Sequence, residues 1–313
     1  EKMIRRIILK TAFAAAFSLT ALFSSAVSAA DVIKIGAIAP KTGPLAGGTV
    51  VTHWPNIDLW VEQVNARGGL NVSGKKMTIE LIQYDDKTNP GEHIKLAQRL
   101  AEQDKVDFII APYGTGFNIA SAPVYGRYGY PMIAVSAITD KVYELTERYP
   151  NLFFTLGSTT AFVEGVRDIL IEQRDAGAIG NEVAMVNVAD AFGIELADRA
   201  RDLFTEAGFN LVYDKSYPLG TPDLSPVMKG AKASGAKAFV AWSYPPDSFG
   251  LAEQAIIEDL DVAVYYSAVA TSFPAFKGAY GDQINNVRGA GGAQGVDAEV
   301  AADRPAQGDM TGP

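Results

Sequence analysis

The chain has 313 residues, 48% of them hydrophobic and 20% charged, a balance ordinary for one or two globular domains. Its formal net charge of −9 offers no basic stripe to neutralise phosphates, which argues against a nucleic-acid partner. Cysteine is absent, so disulfides, thiolate catalysis and Cys-based metal sites are excluded; the two histidines, His53 and His93, stand in no metal-ligand spacing.

Residues 1–30 read as a secretory signal peptide. Lys2, Arg5, Arg6 and Lys10 precede an apolar run over 11–26, and small residues then lead to cleavage after Ala29 or Ala30. Arg5-Arg6 allows a twin-arginine reading, but the general secretory route is the better account. No later run is long and apolar enough to span a bilayer, so a soluble, exported protein is expected.

From Asp31 onward, strand and helix signals alternate. The first block has strands over 32–39, 77–84, 108–110, 132–135 and 152–156. Helices are expected over 49–67 and 90–103, and a third from Thr115 through Tyr128. The second block repeats the pattern, with helices over 159–174, 192–207, 223–234 and 247–258. Its strands are expected over 182–188, 211–217, 238–242 and 262–266. Such alternation gives parallel sheets covered on both faces, here in two lobes, 31–155 and 156–288. Ligands of open α/β sheets sit beyond the C-terminal strand edges, so two facing blocks imply a cleft between them. From Ala290 on the composition is Gly, Ala, Asp and Gln without period, and 289–313 reads as a disordered or aberrant tail.

One stretch carries chemistry. Tyr113-Gly114-Thr115-Gly116 joins a buried strand to a helix, which points unpaired backbone N–H groups at one spot beside a hydroxyl. That suits an anion, but from this stretch alone a plain turn with Thr115 as helix cap is the better account. An enzyme lacks support: no G-x-S-x-G is present, and Gly114-Thr115-Gly116 does not continue as G-x-G-x-x-G. Asp85-Asp86 reads as a solvated turn, His93 as surface, and His53 as solvated or packed near the cleft side.

The ordered set of motifs resembles the periplasmic solute-binding proteins of the leucine/isoleucine/valine and amide type, which serve ABC importers. It comprises Ile35-Gly36-Ala37, Thr42-Gly43-Pro44-Leu45-Ala46, Val64-Asn65-Ala66-Arg67-Gly68-Gly69, Tyr84-Asp85-Asp86, Pro131-Met132-Ile133 and Asp190-Ala191-Phe192-Gly193. The resemblance implies two Rossmann-like lobes joined by a hinge, the type I periplasmic binding protein fold, with no cofactor, metal or catalytic residue. It implies a carboxylate site at Tyr113, Gly114 and Thr115, completed by Ser136, Ala137 and Ile138. Phe192 and Tyr244 fall on aromatic positions of the second lobe, and Trp242 is a further candidate wall. Val269 stands where relatives for aliphatic amino acids carry an acid for the ammonium, and Asp190 or Asp247 would have to substitute unless they merely cap helices. Gly48, after Gly47, replaces a bulky aromatic and leaves room for a larger ligand. The implied partners are an apolar or aromatic carboxylate, or a branched-chain amino acid, and the permease of an ABC importer; a monomer is expected. A sensor domain of the same fold is the alternative. Family chains continue past the point where this one enters its tail, so a truncated or frame-shifted reading with an incomplete first lobe is expected.

Overall fold

A computed structural model describes residues 32–284 and 287–288. The leader and tail expectations lie outside the described residues.

The first sheet has the order β2-β3-β1-β4, where β1 is Val32–Ile38, β2 Leu70–Val72, β3 Lys75–Tyr84 and β4 Phe108–Ile110. The parallel pair β5 (Met132–Ala134) and β6 (Leu152–Phe154) lies next to β4. The second sheet is wholly parallel, in the order β11-β10-β9-β7-β8. Its members are β7 (Glu182–Val188), β8 (Asn210–Tyr217), β9 (Ala238–Trp242), β10 (Val264–Ser267) and β11 (Val287–Arg288). In both sheets the first strand of the unit sits inside the sheet and the chain reverses direction beside it. The switch points therefore fall between β1 and β4 and between β7 and β9. Every residue of β9 and β10 is buried, as strands covered on both faces must be.

Helices are α1 (Ala46–Thr52), α2 (Trp54–Ala66), α3 (Pro90–Arg99), α4 (Thr115–Tyr128) and α5 (Val142–Arg148) in the first block. The second block holds α6 (Thr159–Asp175), α7 (Ala191–Glu206), α8 (Ser225–Ala233), α9 (Pro245–Ile257) and α10 (Pro274–Tyr280). Three of them begin on a side-chain cap: Asn89 for α3, Ser158 for α6 and Asp190 for α7.

Several expectations need correction. The helix over 49–67 is two helices, broken at His53 (φ −112°, ψ −70°). Pro55 supplies the reason: it lacks an N–H, and its ring would meet the carbonyl of Val51 in a continuous helix. The hairpin partner β2 escaped notice because it is three residues long; Ser73 and Gly74, both at positive φ (52° and 84°), make the turn into β3. The second helix ends as α at Arg99 and continues as a π turn over Leu100–Asp104. Short α5 and α10, of seven residues each, were not foreseen.

The second lobe has its own core around Val163, Leu170, Val186, Phe204, Phe239 and Trp242. The first lobe packs separately around Ile38, Leu100, Tyr125 and Met132. Leu45, Tyr113, Phe117 and Ile138 of the first lobe pack continuously with Phe192 and Tyr244 of the second, so the lobes meet closed.

Candidate functional site

The chain leaves β4 through Ala111 and Pro112, and Tyr113 is held by the buried edge of the sheet (7% exposed). Gly114 then takes φ +92° and ψ 147°, a conformation open in practice only to glycine, and caps α4 from outside the helix. No side chain caps α4. Its first-turn N–H groups thus stay free to meet an anion, with the positive end of the helix behind them.

The neighbouring hydroxyls hold this geometry. Ser136 Oγ accepts the Gly114 N–H at 3.1 Å and donates to the Pro112 carbonyl at 3.1 Å, bracing the turn from the end of β5. Thr115 Oγ1 accepts the Ile138 N–H at 3.1 Å, and its own proton reaches the Ile138 carbonyl at 3.3 Å. That second bond is long for a hydroxyl donor, so the proton can turn to a ligand oxygen while the first bond stays. Ala137 is fully buried and packs into the first lobe, leaving only its backbone to the site.

The opposite wall comes from the starts of α7 and α9. Phe192 and Tyr244 stack with ring centroids 4.9 Å apart, and Tyr113 faces Tyr244 at 6.3 Å. The Tyr244 hydroxyl donates to Asp190 Oδ2 at 2.9 Å, and a Cβ on Gly114 would lie only 3.3 Å from that hydroxyl. Gly48 is needed for a different reason. A Cβ there would fall 2.3 Å from the Tyr113 hydroxyl and 3.3 Å from Pro245, so the residue expected to leave room for a ligand instead admits Tyr113 and the second lobe.

Two sequence candidates do not join this group. Trp242 is fully buried in the second lobe, between Phe162 and Tyr266, with its Nε1–H on Met185 Sδ at 3.2 Å. An aromatic at the end of a wholly buried strand has become core. Val269 is half-buried against the second lobe's core.

Asp190 is the cap of α7 and is half-buried; Asp247 sits in the first turn of α9, reaches back to its cap residue Tyr244, and is buried. Asp190 accepts the Gly193 N–H at 2.9 Å, and Asp247 Oδ2 accepts the Tyr244 N–H at 3.4 Å. Burial pushes the Asp247 carboxyl up to about 6, helped by the nearby Asp190 charge; burial also raises Asp190. Between pH 4 and 6 the folded chain therefore keeps a proton on Asp247 that the unfolded chain has released, and stability falls as pH rises through that window. Asp247→Asn should remove that slope and stabilise the protein at pH 7 by about 1–3 kcal/mol. Thermal melts from pH 4 to 8 check this; an unchanged slope would show that the carboxylate is solvated.

The expectations for His93 and Asp86 were wrong. Both are fully buried. His93 Nδ1 lies 2.8 Å from Asp86 Oδ2, and Nε2 lies 2.6 Å from Ser121 Oγ. The order Ser–His–Asp resembles a hydrolase triad, but Ser121 is itself fully buried on α4 and donates to the Phe117 carbonyl at 2.7 Å. The three groups brace α4 against the turn after β3. His53 is buried as well (5% exposed), edge-on to Trp54 and Tyr113, and burial lowers its pKa to about 4. Among the described residues no group of three or more His, Asp or Glu side chains is arranged to hold a metal ion.

Two doubly wound lobes, closed on each other with their switch points facing, define a two-lobe ligand-binding fold of the type I periplasmic class. The periplasmic binding protein family matches residues 32–310, and the chain belongs to that family. Leu/Ile/Val-binding protein homolog 7 of Brucella suis is 29% identical over 248 residues, which are 77% of this chain and 59% of that relative. The chain thus spans about three-fifths of the length of the curated relatives it matches. A solute-binding protein of an ABC transporter from R. palustris, solved with 4-hydroxybenzoate, is 26% identical with a TM-score of 0.62, over 76% of this chain and 62% of its own. The branched-chain amino acid transporter substrate-binding protein of Streptococcus pneumoniae, solved with isoleucine, shares the fold (TM-score 0.65, 22% identity, 76% of this chain and 64% of its own).

Proposed function

We propose that this protein is the solute-binding component of an ABC importer, acting in the periplasm without catalysis. It takes a small apolar or aromatic carboxylate between its lobes and delivers it to a membrane permease. The observation that carries this reading is the uncapped start of α4 at Gly114, with the Thr115 hydroxyl beside it and the Tyr244 and Phe192 rings facing it. Neutral donors at a helix start hold a carboxylate without burying a counter-charge, and the rings supply apolar area for the rest of the ligand. Closure follows from both lobes contacting one ligand. Family membership, the leader-like first thirty residues and the relatives' names support export and import.

Relatives bind both isoleucine and 4-hydroxybenzoate, and both kinds of ligand carry a carboxylate. Asp190 and Asp247 both bond to Tyr244 and are the acids on hand for a ligand that carries an ammonium group. Val269 offers no charge. Thr115→Ala should weaken binding of whichever acid binds by about 1–3 kcal/mol, through loss of a hydrogen bond to a charged group. Calorimetry that finds the affinity unchanged would remove Thr115 from the site.

A further inference from the structure

Helix α7 turns one face to the first lobe along two turns of its length. Ala191, Glu195 and Arg199 are spaced four apart and share that face. Ala191 meets α4 in the cleft, where a Cβ on Gly116 would lie 3.5 Å from its own. One turn on, Glu195 gathers donors from three places. The Thr139 hydroxyl reaches its two carboxylate oxygens at 2.9 and 3.1 Å, the Asp140 N–H donates at 2.6 Å, and the Thr159 hydroxyl donates at 2.9 Å. A further turn along, Arg199 donates to Asp140 Oδ2 from Nε at 3.2 Å and Nη2 at 2.9 Å. Asp140 also accepts the N–H and hydroxyl of Thr160 at 2.8 and 2.7 Å.

The parts so tied belong to different bodies. Thr139 and Asp140 follow Ile138 of the carboxylate site and sit in the first lobe. Thr159 and Thr160 open α6, just after the chain has left β6 for the second lobe. Glu195 and Arg199 lie within the second lobe's helix. Glu195 and Arg199 lie on the face of α7 that meets α4 at Ala191, so opening the lobes pulls on their bonds to Thr139 and Asp140. Thr139 is fully buried, and separation would leave its hydroxyl to find a new partner. Burial alone would raise the Asp140 carboxyl, yet the Thr160 and Arg199 donors hold it below its usual range, as a carboxylate committed to these contacts requires.

We propose that Glu195 and Arg199 are positioning residues that latch the second lobe onto Thr139 and Asp140, setting the balance of closed and open lobes and hence affinity at a site they do not touch. This rests on the two-lobe solute-binding reading. Apparent affinity scales with the fraction of molecules in the binding-competent state, so a weaker latch weakens every ligand by one factor.

The test needs no ligand. The chain lacks cysteine, so Glu62→Cys and Lys229→Cys, one exposed site in each lobe, take a dye pair for single-molecule energy transfer. In this background, Glu195→Ala and Arg199→Met should each lower the closed-to-open ratio of the ligand-free protein by about tenfold, at unchanged circular dichroism. Folded variants that keep the parent's interlobe distribution would overturn the latch. Arg199 is partly exposed (38%), so Arg199→Met decides the matter if Glu195→Ala fails to fold. Adding isoleucine or 4-hydroxybenzoate to the parent tests the binding reading separately, since the ligand-free populations report the latch whether or not either compound closes the lobes.

Discussion

Replacing His93 with alanine is expected to destabilise the first lobe by about 3–5 kcal/mol, the cost of stripping one partner from a buried charged group. The imidazole is fully enclosed between Asp86 and Ser121, at 2.8 and 2.6 Å. Without it, Asp86 Oδ2 stays inside the lobe with no donor in the imidazole's place; the other carboxylate oxygen keeps only the Thr88 N–H at 2.9 Å. The damage reaches the cleft. The Asp86 turn carries Thr88, whose hydroxyl accepts the Leu45 N–H at 3.2 Å and so steadies the loop that starts α1. On the other side, Ser121 sits on α4, the helix whose first turn faces the ligand. Urea unfolding of His93→Ala reads the loss directly. A change below about 1 kcal/mol would mean that water replaces the imidazole at little cost.

Gly114→Ala should be the most damaging single change at the binding site. At φ +92° and ψ 147° an alanine costs about 1–3 kcal/mol of backbone strain. Relieving that strain rotates the very peptide whose N–H is braced by Ser136. The added methyl also stands, across the lobe boundary, 3.3 Å from the Tyr244 hydroxyl, which Asp190 holds in place within the second lobe. The donors are misaligned and closure is obstructed at the same time, so affinity should fall by more than the tenfold that about 1.4 kcal/mol represents. Calorimetry with the acid that binds the parent protein, alongside a thermal melt, separates the two effects. Unchanged affinity in a folded variant would show that the turn at Gly114 lies outside the site.

The strands of the second lobe were legible because continuous apolar runs such as Val183 to Val186 admit one reading once turns bound them. Gly114 and Thr115 were legible as a turn of unusual chemistry because glycines flank a hydroxyl where a strand meets a helix. Burial of polar groups was not. Nothing near Asp86 or His93 in sequence announces Ser121, 28 residues beyond the histidine. Glu195 likewise finds Thr139 and Asp140 at separations of 56 and 55 residues, which only the folded lobes bring together. Trp242 illustrates the opposite case: it closes a strand buried on both faces and packs in the core, whereas Tyr244, two residues on, opens a helix at the lobe boundary. Gly48 was expected to leave room for a ligand; what its missing side chain admits is the Tyr113 hydroxyl.

Calorimetric titration of the protein with isoleucine and 4-hydroxybenzoate, each beside its methyl ester, tests the carboxylate clamp most directly. The account predicts saturable one-to-one binding of at least one free acid and a loss of at least about tenfold for its ester, which cannot present a charge to the start of α4. Equal binding of acid and ester, or no binding of either acid, would contradict it.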